Sequence, residues 1–195
     1  MLNLPLQPRY VFPPLCLIVL STFLAWLGIN NELEFNRQLI EQGQVWRLFT
    51  SQFVHANWAH LGLNCAGIVL IWLLHGEYTS LSRYSFNIAT LAIWCGLGVF
   101  WFCPAITIYT GLSAVLHGVI IWGAIKDATV GLKSGYVLFI GVWVKLIAEQ
   151  INGPSADIGA LINSTVAVDA HLIGAIGGAL LGVPLIIKFI SKNKE

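Results

Sequence analysis

Residues 111–126 read GLSAVLHGVIIWGAIK, an apolar run of about 15 residues opened by a glycine and a serine and closed by Lys126. Alone, so short a run suits a buried core helix as well as a membrane span. The rest of the chain decides between them. Of 195 residues, 57% are apolar and 10% charged, with mean hydropathy +0.78, whereas a soluble domain carries roughly 25% charged residues. Five further apolar runs lie at about 11–29, 57–75, 84–103, 134–150 and 167–190. With 112–126 they make six spans on the scale of the ~20 residues that cross a bilayer. The expected fold is therefore all-α: a polytopic six-transmembrane-helix bundle over residues 1–195 as a single domain, with function placed inside the bilayer.

Net charge is +1, from 10 Lys+Arg against 9 Asp+Glu, so no polybasic surface points to nucleic acid. Cys16, Cys65, Cys95 and Cys103 sit in apolar runs without a CxxC pair, which suggests neither a disulfide framework nor a zinc cluster. The first run is too long for a usual signal core and carries Pro13 and Pro14, so it reads as a retained span. Basic residues set the orientation. Arg9, Arg83, Lys126, Lys133, Lys188, Lys192 and Lys194 fall on one side, and only Arg37 and Arg47 on the other. Both termini are expected in the cytoplasm and residues 30–55 outside. Lys145 and Glu149, four apart in the fifth span, read as a local ion pair near the outer surface with little functional weight.

The even-numbered spans then all run from outside inward, and their polar residues can be compared by depth. Polar groups inside a membrane are costly and face the bundle interior. His60 and Asn64 begin the second span, Ser113 begins the fourth, and His171 lies about one turn into the sixth. A helix of about 15 residues covers only about 22 Å, so Ser113 must start below the surface, beside the free N–H groups and the positive end of its helix dipole. Such donors suit a tetrahedral oxyanion. A serine next to glycine at a span start is also a common cap or packing residue. His171 is a candidate base, and equally a packing residue or haem ligand in isolation. Gly174, Gly178 and Gly182 recur every four residues and admit close approach by a neighbour. The fourth span, with Gly111, Ala114 and Gly118, is the natural partner, and its packing there brings Ser113 to His171.

Asp169 precedes His171 by two residues and points about 200° away on a helix, so a Ser/His dyad is expected, with Asp169 at the water boundary. His60 and Asn64 share one helix face as oxyanion donors beside the Ser113 amide, or as interhelical polar contacts. A zinc protease requires His-Glu-x-x-His, which is absent from the sequence. An aspartyl protease needs two acids at one depth. Haem ligation by His60, His75, His117 or His171 leaves Ser113 and Asn64 without a role.

In combination these residues resemble the rhomboid intramembrane serine proteases across nearly the whole chain: Trp46-Arg47, His55 with His60 and Asn64, Gly111-x-Ser113, and Ala170-His171-x-x-Gly174. The resemblance implies Ser113 as nucleophile, His171 as general base, His60 and Asn64 as oxyanion donors, and Trp46 and Arg47 as organisers of the outer loop. An interfacial aromatic and a snorkelling cation describe that last pair equally well. It also implies entry of the client between the second and fifth spans. Ala114 replaces the family's usual glycine after the serine. His117 stands where the family commonly places an aromatic that stacks on the catalytic imidazole. Gly-Leu-Ser-x-Val-Leu-His-Gly is similar to the rhombosortase branch, which is associated with removing Gly-Gly-containing C-terminal membrane anchors from exported proteins of Gram-negative bacteria. The implied protein is a serine endopeptidase of the bacterial inner membrane, the alternative being a non-catalytic rhomboid-like protein that holds client helices without cutting them. Its site opens to the periplasm, its substrate is a membrane-anchored protein, and it requires no metal or organic cofactor.

Overall fold

The computed structural model describes residues 4–192, so Lys194, counted above among the basic residues, lies outside them. The elements in chain order are α1 (Pro8–Leu27), α2 (Asn30–Leu33), β1 (Phe35–Asn36), α3 (Arg37–Glu41), α4 (Arg47–Thr50), α5 (Trp58–His75), α6 (Leu81–Phe102), β2 (Ile108–Tyr109), α7 (Ser113–Thr129), α8 (Lys133–Asn152), α9 (Ala156–Ile162) and α10 (Val168–Lys192). Among the described residues, five helices, α1, α5, α6, α8 and α10, are long and apolar enough to cross a membrane. The sixth, α7, has 17 residues and covers about 25 Å at 1.5 Å per residue. It is the central post of a multi-pass bundle, with α5, α6, α8 and α10 packed around it. The fold is thus a six-helix membrane bundle.

Small residues make the central packing possible. Gly174 and Gly178 of α10 lie against the backbone carbonyls of Ala114 and Gly118 of α7, and a Cβ at either glycine would overlap them. A Cβ on Gly118 would in turn stand 2.7 Å from the Gly174 carbonyl oxygen. The two backbones therefore touch, which locks the depth of α10 against α7. At the far end of α7, the Asp127 carboxylate accepts from Tyr78 Oη at 2.7 Å and pairs with His75 Nε2 at 3.3 Å. Asp127 thereby joins α5 to α7, and Gly123 leaves room for the His75 ring.

Residues 30–55, the segment expected outside between the first two spans, fold into α2, β1, α3 and α4, with β1 pairing antiparallel to β2. Two arginines explain this order. Arg37 donates to the carbonyls of Val99, Phe100, Cys103 and Ile106 at 2.7–3.1 Å, gathering the last turn of α6 and the loop after it around one guanidinium. Arg47, only 4% exposed, donates to Gln44 Oε1 and to the carbonyls of Asn31 and Glu34 at 2.8–2.9 Å. The segment between α8 and α10 likewise contains α9, capped by the Ser155 hydroxyl and ended by Asn163 in the left-handed region. All four cysteines are free thiols.

Candidate active site

The hydroxyl of Ser113, the first residue of α7, lies 2.9 Å from His171 Nε2 on α10. The helix contact between Gly174 and Ala114 brings them together. Gly174 stands three residues beyond His171, and Ala114 follows Ser113, so the abutting backbones bring the two side chains to one height. The Ser113 amide is among those without an intrahelical acceptor at the start of α7. His117, one turn below Ser113, stacks on His171 with ring centroids 4.3 Å apart and planes 19° from parallel. Its Nδ1 is 2.8 Å from the Ser113 carbonyl oxygen.

His60 and Asn64 lie side by side on α5 and are buried. Asn57 caps this helix, its side chain accepting from the His60 amide at 2.8 Å. Gly111 adopts φ +116, and a Cβ there would stand 2.6 Å from His60 Nε2 and 3.7 Å from Asn64 Nδ2. The loop before Ser113 therefore passes directly over both side chains, and only glycine fits. Tyr109 Oη fixes that loop by donating to the Gly111 carbonyl at 2.8 Å. A cavity of about 600 Å³ brings His60, Asn64, Ser113, His117, Lys145 and His171 onto one wall system between α5 and α8. A second, of about 470 Å³, reaches Ser113 and His171 from the side of residues 105–110 and 164–169.

The ion pair expected between Lys145 and Glu149 forms, but it is not isolated from the polar centre. Lys145 Nζ is 2.7 Å from Glu149 Oε2, and the same oxygen is 3.3 Å from His171 Nδ1. Lys145 Nζ also lies 2.9 Å from His117 Nε2. Both residues therefore face the site. A depth scale taken from the even-numbered spans does not include them. The fifth runs the other way, so its C-terminal end reaches the same layer. Ligand atoms of His117, Glu149 and His171 lie within 4.8 Å of one another, a spacing that suits a metal ion. The Lys145 ammonium, bonded to both Glu149 and His117, already supplies a cation between those two, and a metal would have to displace it.

Asp169 is exposed and lines the second cavity. Trp46 is half-exposed, its Nε1 donating to the Glu32 carbonyl at 3.3 Å, while Arg47 is buried within the outer segment rather than reaching for solvent.

Chemically, a serine hydroxyl bonded to an imidazole, beside free amides in a recessed cavity, has the parts for nucleophilic attack and oxyanion stabilisation. The fold and site define a polytopic membrane protein with a polar centre held inside an apolar bundle. Residues 42–188, three quarters of the chain, match the family profile described as Rhomboid domain, and the chain belongs to the rhomboid family. A search of curated proteins returns no match to it. The family comprises intramembrane serine proteases and related pseudoproteases, whose substrates are membrane proteins within the lipid bilayer.

Proposed function

We propose that the chain is an intramembrane serine endopeptidase that cleaves the membrane anchor of a client protein. The observation that carries this reading is the 2.9 Å contact between Ser113 Oγ and His171 Nε2 on the wall of a cavity large enough for an extended peptide segment. Ser113 Oγ attacks the scissile carbonyl carbon while its proton passes to His171 Nε2. The developing oxyanion is met by the Ser113 amide with His60 and Asn64. His171 then delivers the proton to the leaving amine, and water hydrolyses the acyl-enzyme through the reverse relay.

The client must present an extended segment, because a helical carbonyl is hydrogen-bonded and covered. Glycine at the cleavage site lowers the cost of unwinding. That suits the Gly-Gly-containing C-terminal anchors to which the rhombosortase-like motif points. The excess of basic residues on one side supports cytoplasmic termini and a site open to the periplasm of a bacterial inner membrane.

The experiment is to co-express a Gly-Gly-anchored client with the wild type or Ser113→Ala and read the client's termini by mass spectrometry. Processing by the wild type alone is the expected result; equal processing by both excludes Ser113 as the nucleophile.

A further inference from the structure

Starting from Ser113, five polar contacts close a ring. Ser113 Oγ meets His171 Nε2 at 2.9 Å, and His171 Nδ1 meets Glu149 Oε2 at 3.3 Å. Glu149 Oε2 meets Lys145 Nζ at 2.7 Å, Lys145 Nζ meets His117 Nε2 at 2.9 Å, and His117 Nδ1 returns to the Ser113 carbonyl at 2.8 Å. The ring draws one residue or more from each of α7, α8 and α10.

The donor and acceptor rules leave one assignment of protons around it. An ammonium only donates, so His117 Nε2 is the accepting nitrogen, and its Nδ1–H donates to the Ser113 carbonyl. An ionised carboxylate only accepts, so His171 carries its proton on Nδ1. His171 Nε2 is then bare and faces the Ser113 hydroxyl, the state a general base requires. The Lys145 ammonium keeps Glu149 ionised by charge pairing, and the His117 ring holds the His171 plane by stacking.

We propose that Glu149 is a positioning residue that completes a Ser113–His171–Glu149 triad across three helices, with Lys145 as its counter-ion. The proposal rests on the reading of Ser113 as nucleophile and His171 as base. When Ser113 attacks, its proton moves to His171 Nε2, and the resulting imidazolium keeps its Nδ1–H on the Glu149 carboxylate. Glu149 stays ionised throughout and exchanges no proton. Asp169, nearest to His171 in sequence among the acids, is exposed and contributes nothing to this arrangement.

The test follows the rate at which a fluorophosphonate labels the purified protein in detergent, for the wild type, Ser113→Ala, Glu149→Gln and Glu149→Asp. Proton NMR accompanies it, looking for the low-field resonance of an imidazole N–H bonded to a carboxylate. Wild type labels and Ser113→Ala does not. Glu149→Gln labels on the order of 10²-fold more slowly or worse at an unchanged unfolding midpoint, the loss of the orienting carboxylate in a soluble serine protease costing about 10⁴-fold. Glu149→Asp recovers part of that rate. The low-field resonance is present in the wild type and lost in both His171→Ala and Glu149→Gln. Equal labelling of wild type and Glu149→Gln overturns the triad while leaving the protease reading intact. So does a wild-type spectrum without that resonance, even if the Glu149 variants fail to fold. A wild type that labels no better than Ser113→Ala sinks both.

Discussion

His117 lies face to face with His171, centroids 4.3 Å apart, while its two nitrogens bond in opposite directions, to the Ser113 carbonyl and to Lys145. Its ring surface and its nitrogens can be separated. His117→Phe keeps the surface and loses both bonds, and is expected to slow Ser113 labelling by at most about 10-fold. His117→Ala also loses the stacking, worth about 0.5–1.5 kcal/mol, and falls further. His171→Ala is expected to abolish labelling. Labelling lost in His117→Phe but kept in His171→Ala would reassign the base to His117.

The α7–α10 contact is tested at Gly174. A Cβ there overlaps the Ala114 carbonyl, so Gly174→Ala is expected to lower stability by about 1–3 kcal/mol, as overpacking does. Gly141 on α8 has nothing within 4 Å of its added Cβ. Gly141→Ala is therefore expected to be neutral or to gain about 0.5–1 kcal/mol of helix propensity. Unfolding midpoints in mixed micelles measure both, and an equal effect at the two sites counts against backbone contact.

Arg47 holds three acceptors within the outer segment. Arg47→Lys keeps the charge but loses the planar fork. It is expected to cost about 1.5–3 kcal/mol and to open residues 30–55 to limited proteolysis. Wild-type protease resistance in this variant would show that charge alone organises the segment.

His55, in the loop before α5, is 1% exposed, and neither ring nitrogen has a partner. Burial, and then the neighbouring His60, pushes its pKa down from 6.5 to about 3. Between those values the unfolded chain binds the proton and the folded chain does not, so stability falls as pH drops through that window. His55→Gln removes this contribution, and its unfolding midpoint is expected to decline less than the wild type's on acidification from about pH 6.5 to pH 4. Parallel decline of the two proteins refutes it.

The sequence carried the heights of Ser113, His60, Asn64 and His171, because spans of one direction share a depth scale and glycine every fourth residue marks a touching face. It did not carry the facing of Lys145 and Glu149. An i,i+4 pair of opposite charge satisfies itself on paper, and what turns it inward is tertiary. Gly135 lets α8 close on α7, where a Cβ would stand 2.6 Å from the Ala124 carbonyl oxygen. The order within residues 30–55 was hidden for a related reason. Arg37 finds its carbonyls 62 to 69 positions away and Arg47 finds its own 13 and 16 away, pairings that no local pattern encodes.

The helix that supplies Glu149 is the least buried of the long apolar helices among the described residues: of the 20 residues of α8, only Gly135 and Leu146 are buried. A guest wedged between α5 and α8 would tilt this lightly buried helix and part the carboxylate from its imidazole. Admission and readiness would then be successive states, with the machinery disarmed while the door stands open and rearmed as it swings shut behind the guest.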